Sequence, residues 1–263
     1  MHMSKVTIKE IKEKYLVAKE KEKKFKWTYY VRRPASYYMA WPFLRLGVSA
    51  TSVTMLWLAL AVGACIFLAS GGYANMMIGS VLLEIAIILD CVDGHIARFR
   101  GPKISGDVLD TWAGEILLVL SMLSIGIGLS NNNTGLLITS SVMNTLHLDK
   151  QMFLFVGMFA ALASLSSWTI RVHWRTITMK LSVASFEPDH DLRGSKKILI
   201  ADNLFHYSGA LTMLMVVSSL LSVMDLMLIV IAAVYGFYLV TIMARIIKKA
   251  RALDSSHKDS IDE

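Results

Sequence analysis

Only two cysteines, Cys65 and Cys91, and four prolines occur in the 263 residues. Two cysteines build neither a disulfide framework nor a cysteine-rich metal cluster. The first 26 residues hold no apolar core of the signal-peptide kind, only lysine and glutamate around scattered aliphatics. Charge is scarce as well: 18% of residues are charged against 55% hydrophobic. Charged side chains are missing from 46–83, 116–148, 151–170, 203–224 and 226–244. A chain of this length has too much apolar surface to hide in a soluble core. A helix crossing hydrocarbon needs about 20 mostly apolar residues, so a membrane is the expected solvent.

The first charge-free run is long enough for nearly two spans and is punctuated by Ser70-Gly71-Gly72, a turn composition. The expected architecture is all-α and polytopic. Six transmembrane helices lie near 50–70, 73–95, 107–130, 150–172, 203–222 and 225–247. Residues 1–45 form an amphipathic and juxtamembrane segment, 46–250 the transmembrane domain, and 251–263 a polar, disordered tail.

The basic residues orient this arrangement. Of 27 lysines and arginines, 12 precede the first span, three lie in 98–103, six in 171–197 and five from Arg245 onward. Lys150 alone falls on the other side. The positive-inside rule then places both termini and every second loop in the cytoplasm of a multi-pass cell-membrane protein. The net charge of +7 is a topological signal with a basic face toward anionic headgroups. No basic-aromatic module accompanies it, so nucleic acid is not an expected partner.

Ile8, Ile11, Tyr15 and Ala18 recur at helical spacing among i,i+4 pairs such as Glu10–Lys14. The pattern predicts a surface helix along the cytoplasmic leaflet, with Trp27, Tyr29 and Tyr30 as interface anchors.

Carboxylates gather where the second span ends and the third begins. Asp90 and Asp93 are three residues apart, on one helix face at the membrane boundary. Asp107 and Asp110 repeat that spacing in the first turns of the next helix, where its dipole favours negative charge. Unpartnered carboxylates so close would repel one another; a cation between them removes the repulsion. An all-oxygen cluster suits Mg²⁺ or Mn²⁺, which usually come with a substrate phosphate. Gly94 and Ala97 keep one helix face small, and Arg98 offers phosphate a planar fork.

The string Asp90-x2-Asp93-Gly94-x2-Ala97-Arg98, followed after seven residues by Gly106-x3-Asp110, resembles the CDP-alcohol phosphatidyltransferase family. The resemblance implies six spans, a homodimer and a two-metal site. The implied reaction is attack of a small polar alcohol, with or without a phosphate, on a CDP-linked lipid, diacyl or ether, with release of CMP. It implies Asp90, Asp93 and Asp110 as metal ligands, and Asp90, Gly94, Ala97 and Arg98 around the CDP moiety. Upstream, Ala50-Thr51 stands where the family often has Pro-Asn. A phosphate contact would then come from Thr51 or Thr54.

The family's last Asp, the expected base and often a ligand, is replaced by Gly114. Asp107 and Glu115 are the candidate substitutes beside Asp110. Neither is well placed: Asp107 is one turn nearer the cytoplasm, and one residue turns a helix by about 100°, carrying Glu115 off the Asp110 face. Arg171, His173 and Arg175, with Lys103, could meet a phosphate, or could simply mark the cytoplasmic side. Glu84, an ionisable group inside a span, is either functional or structurally hydrogen-bonded. His95 faces either the site or the headgroups. The acidic 187–191 stretch is read as a solvated loop. Two rival functions stand beside the transferase, a UbiA-type prenyltransferase and a non-catalytic lipid- or nucleotide-binding protein.

Overall fold

The computed structural model describes residues 6–101, 104–131, 149–180 and 203–259. Its elements are helices: α1 (Ile8–Glu22), a π-helical turn (Thr28–Arg32), α2 (Arg33–Arg45), α3 (Ala50–Ser70), α4 (Tyr73–Arg100), α5 (Ile104–Asn131), α6 (Met152–Lys180), α7 (Leu211–Leu220) and α8 (Met224–Asp259). Ser49 caps α3 by accepting from the Ser52 N–H. Gly71 and Gly72, at φ 68° and 80°, make the tight reversal into α4.

Among the described residues five helices, α3, α4, α5, α6 and α8, are long and apolar enough to cross a membrane. The expected span at 203–222 is different: its regular helix is the ten-residue α7, preceded by turns over 206–210. Helix α8 continues to Asp259, past the point where the sequence suggests an unstructured tail.

Helix α3 packs on α4 and α5, α5 on α6, and α6 on α8, while α7 and α2 lie against α4. Trp57, Leu83, Met122, Ile125 and Phe153 fill the core. Large apolar side chains such as Ile66, Phe155, Phe237 and Val240 point outward, as helices solvated by lipid require. The small residues of α5 are used within the protomer. A Cβ on Gly126 would lie 2.8 Å from the Phe153 carbonyl oxygen and 3.1 Å from Gly157 Cα of α6. Ser121 accepts the Tyr207 hydroxyl at 2.6 Å. This close approach joins α5 to α6.

The N-terminal segment departs from the expected membrane-surface helix. Ile11 and Tyr15 of α1 are buried with Tyr37, Ala40 and Leu44 of α2 and Val92 and Ile96 of α4. The apolar stripe is spent on the protein's own surface rather than on lipid. Lys14 donates to the Phe99 carbonyl at 3.0 Å, favourable at the negative end of α4. Trp27 is no headgroup anchor: its indole N–H donates to Glu84 at 3.0 Å.

Candidate active site

Helix α4 brings Asp90 and Asp93, and α5 brings Asp110, to one place. One carboxylate oxygen from each lies within 4.8 Å of the others. Asp93 is buried and doubly held: Thr54 Oγ1 is 2.7 Å and Trp57 Nε1 2.9 Å from its Oδ2. Such outer partners fix a ligating carboxylate in orientation. The Thr54 hydroxyl, expected to meet phosphate, therefore supports Asp93. Asp107 is carried by α5 with its side chain outside the described residues, as are Lys103 and 187–191.

Two cavities flank the cluster. The first, of about 320 Å³, is lined by Thr51, Thr54, Asp93, Gly94, Ala97, Arg98, Gly106 and Asp110 among others. Every described position of the acidic motif except Asp90 thus opens on this one space. Asp90 lines the second cavity, of about 290 Å³, together with Asp110, Thr111, Gly114, Glu115 and His206. Asp110 belongs to both, so the carboxylate cluster stands between them.

Glu115 lies about 140° around α5 from Asp110, yet the second cavity is wide enough to reach both. The helical angle sets them apart, yet both line this cavity. His206 was not singled out from the sequence. It lies on the turn before α7, stacked on Phe25 at 5.9 Å, and its Nδ1 accepts the Ser208 N–H at 3.1 Å.

That turn is irregular backbone beside membrane helices, tolerated where it is buried in protein or lines a cavity. Arg32 supplies the missing partner by donating to the Tyr207 carbonyl, and Thr28 donates to the Ser208 carbonyl at 2.7 Å. Arg32 is fully buried and also reaches Glu84 through Nε at 2.9 Å and Nη2 at 2.8 Å. Glu84 further accepts from the Thr212 hydroxyl. Of its two readings, the structural one holds.

Arg98 lines the first cavity, and its Nη1 is buried without a partner among the described residues. Its Nη2 is 3.6 Å from Glu22, which Arg33 grips at 2.6 Å through both Nε and Nη2. A Cβ on Gly94 would lie 3.5 Å from Arg98 and 3.9 Å from Arg33, ordinary contact distances, so this position adjoins both guanidinium groups. Tyr15 donates to Glu22 at 2.7 Å. Burial, then this bond to Glu22, raises the Tyr15 hydroxyl above its ordinary range and keeps it a donor.

His95 faces away from the cluster: its Nε2 is 2.9 Å from Ser36 Oγ, between Tyr15 and Tyr37. Arg171 donates to the Ser167 carbonyl at 3.2 Å and lies over Tyr238 at 5.6 Å. It lines a small void of about 30 Å³ that shares Glu115, Leu118 and His206 with the second cavity. Arg175 and His173 are exposed and line none of these three spaces.

Three carboxylates at one point suit a hard divalent cation. The buried, unpartnered Arg98 nitrogen beside the adjoining cavity suits an anionic oxygen. Residues 48–164 match the family model described as CDP-alcohol phosphatidyltransferase. That family is one of phosphotransferases acting on CDP-alcohols, and the match supports a transferase activity in phospholipid synthesis. No curated protein matched the chain.

Proposed function

We propose that this protein transfers a phosphatidyl-type group, diacyl or archaeal ether, from a CDP-linked lipid to a small hydroxyl acceptor. The acceptor oxygen bonds to the lipid-bearing phosphorus, the bond from that phosphorus to CMP breaks, and the hydroxyl proton passes to a carboxylate of the site. The observation that carries this reading is the convergence of Asp90, Asp93 and Asp110 within 4.8 Å beside the cavity of Gly94, Ala97 and Arg98.

In this reading the first cavity holds the cytidine diphosphate, with Thr51 on its rim and Arg98 on a phosphate oxygen. Asp90, Asp93 and Asp110 hold Mg²⁺ or Mn²⁺, which when bound would neutralise the diphosphate and stabilise the leaving CMP. Thr54 and Trp57 keep Asp93 turned toward the cluster. Glu115, which lines the second cavity together with Asp110, takes the proton in place of the missing carboxylate at Gly114. The lipid chains stay in the bilayer and the acceptor arrives from the cytoplasm, a side supported by the bias of lysine and arginine toward alternate loops.

The test is product analysis. Protein in nanodiscs, given CDP-diacylglycerol or its archaeal ether analogue, Mg²⁺ or Mn²⁺ and a panel of alcohols, is expected to yield CMP and a new phosphodiester lipid. Consumption of an isoprenyl diphosphate with no use of CDP-lipid would instead support the prenyltransferase. Binding of CDP without turnover would support the non-catalytic reading.

A further inference from the structure

We propose that α1 is part of the nucleotide site and that Glu22, at its end, is the residue that positions Arg98. The inference rests on the reading that places cytidine diphosphate in the first cavity and adds to it what holds the arginine there. Glu22 lies seven residues beyond Tyr15, two helical turns, and so continues the face that buries Ile11 and Tyr15 against α2 and α4. A carboxylate that extends an apolar stripe into a protein interface needs charged partners. Glu22 has two, Arg33 and Arg98.

The two guanidinium groups serve differently. Arg33 gives Nε and Nη2 to the Glu22 carboxylate, each at 2.6 Å, and Nη1 to the Cys91 carbonyl at 3.1 Å. Its nitrogens are spent inside the protein, and it does not line the first cavity. Arg98 does line it. Its Nη2 lies 3.6 Å from the same Glu22 oxygen that Arg33 Nη2 holds, and its Nη1 is buried without a partner among the described residues. One negative charge between two positive ones leaves a single positive charge in excess, and the open nitrogen is on Arg98.

Glu22 is itself held. The Tyr15 hydroxyl donates to its Oε2 at 2.7 Å, and the Tyr15 ring lies 5.2 Å from the Arg33 guanidinium and 5.6 Å from that of Arg98. Lys14 fastens α1 to the residue after Arg98 by donating to the Phe99 carbonyl at 3.0 Å. Without the carboxylate the neighbouring guanidinium groups would repel. Arg98, with a side chain 31% exposed against 10% for Arg33, would be the one to swing away. A side chain pinned at one nitrogen loses less freedom when its other nitrogen meets a phosphate oxygen.

The test measures CDP affinity in the presence of Mn²⁺, by calorimetry on the full chain in nanodiscs. Glu22→Gln keeps the shape and removes the charge. It is expected to weaken CDP at least about tenfold, the scale of losing an outer partner, with Mn²⁺ affinity measured without CDP unchanged. In an Arg98→Met background, expected to bind CDP more weakly, the same change should cost less than about twofold, because residues acting through one contact are not additive. Tyr15→Phe alters no charge and should follow the same pattern at about threefold or more; it decides the matter should Glu22→Gln fail to fold.

Equal losses in the two backgrounds would show that Glu22 only supports the fold. Unchanged or tighter CDP binding in Glu22→Gln would show that the carboxylate is idle or competes with the nucleotide. Each of these results overturns the proposal. Absence of CDP binding by the wild-type chain with Mn²⁺ would instead overturn the nucleotide reading, and this inference with it.

Discussion

Arg32 and Glu84 form a two-point ion pair, Nε and Nη2 at 2.9 and 2.8 Å, that joins the turn before α2 to the middle of α4. The pair also holds the irregular segment before α7, since Arg32 donates to the Tyr207 carbonyl. Removing one partner strands the other charge. Arg32→Met is expected to cost about 3–5 kcal/mol, measured by unfolding in mild detergent. Arg32→Met combined with Glu84→Gln should recover part of that loss. A single variant as stable as the wild type would show that the pair is dispensable.

Thr54 should act through Asp93. Thr54→Val keeps the shape and removes the hydroxyl that lies 2.7 Å from the carboxylate. Loss of an outer partner of this kind typically weakens metal affinity about 10–100-fold, and Mn²⁺ titration is expected to fall in that range. Thr51→Val, at the cavity rim, should leave Mn²⁺ affinity unchanged and weaken CDP.

The α5–α6 contact should tolerate no side chain at Gly126. Gly126→Leu drives atoms into the Phe153 carbonyl and Gly157, a strain typically worth about 1–3 kcal/mol or more. Gly63→Leu, where an added Cβ meets nothing within 4 Å, is the control and should be near neutral. Equal thermal stability of the two variants in detergent would contradict the packing described.

Restoring a carboxylate at Gly114 should help the chemistry. The position lines the second cavity beside Asp110 and Glu115 and has space for a Cβ. General-base assistance is typically worth about 10²–10⁴-fold. Gly114→Asp is expected to raise CMP release by at least about tenfold, and Glu115→Gln in the wild-type background to lower it. If Gly114→Asp is without effect while Glu115→Gln abolishes turnover, Glu115 already supplies the whole base function.

The spans and the acidic cluster were legible because hydrocarbon imposes long charge-free runs, and because a three-residue spacing fixes a helix face. What the sequence concealed was competition for partners. The apolar stripe of Ile11 and Tyr15 reads equally well as lipid-facing or protein-facing, and only the presence of Val92 and Ile96 decides. Gly126 is one small residue in a long apolar run, and only the fold sets Gly157, in a different span, against it. Thr54 looks like a phosphate ligand until Asp93 takes its hydroxyl. The run at 203–224 has a span's composition, but composition carries no trace of the break at His206–Ala210, which depends on Arg32 from far upstream. His206 escaped notice for the same reason.

The central claim is that Asp90, Asp93 and Asp110 bind a divalent cation together with the nucleotide. Electron paramagnetic resonance of Mn²⁺ tests it most directly, because free ion gives a strong six-line signal that diminishes on binding. Titration of the wild-type chain with Mn²⁺ should show bound ion whose affinity rises when CDP is added. In Asp90→Asn, Asp93→Asn and Asp110→Asn, each still folded by circular dichroism, the CDP-dependent binding should be lost. Undiminished CDP-dependent Mn²⁺ binding in all three variants would contradict the account.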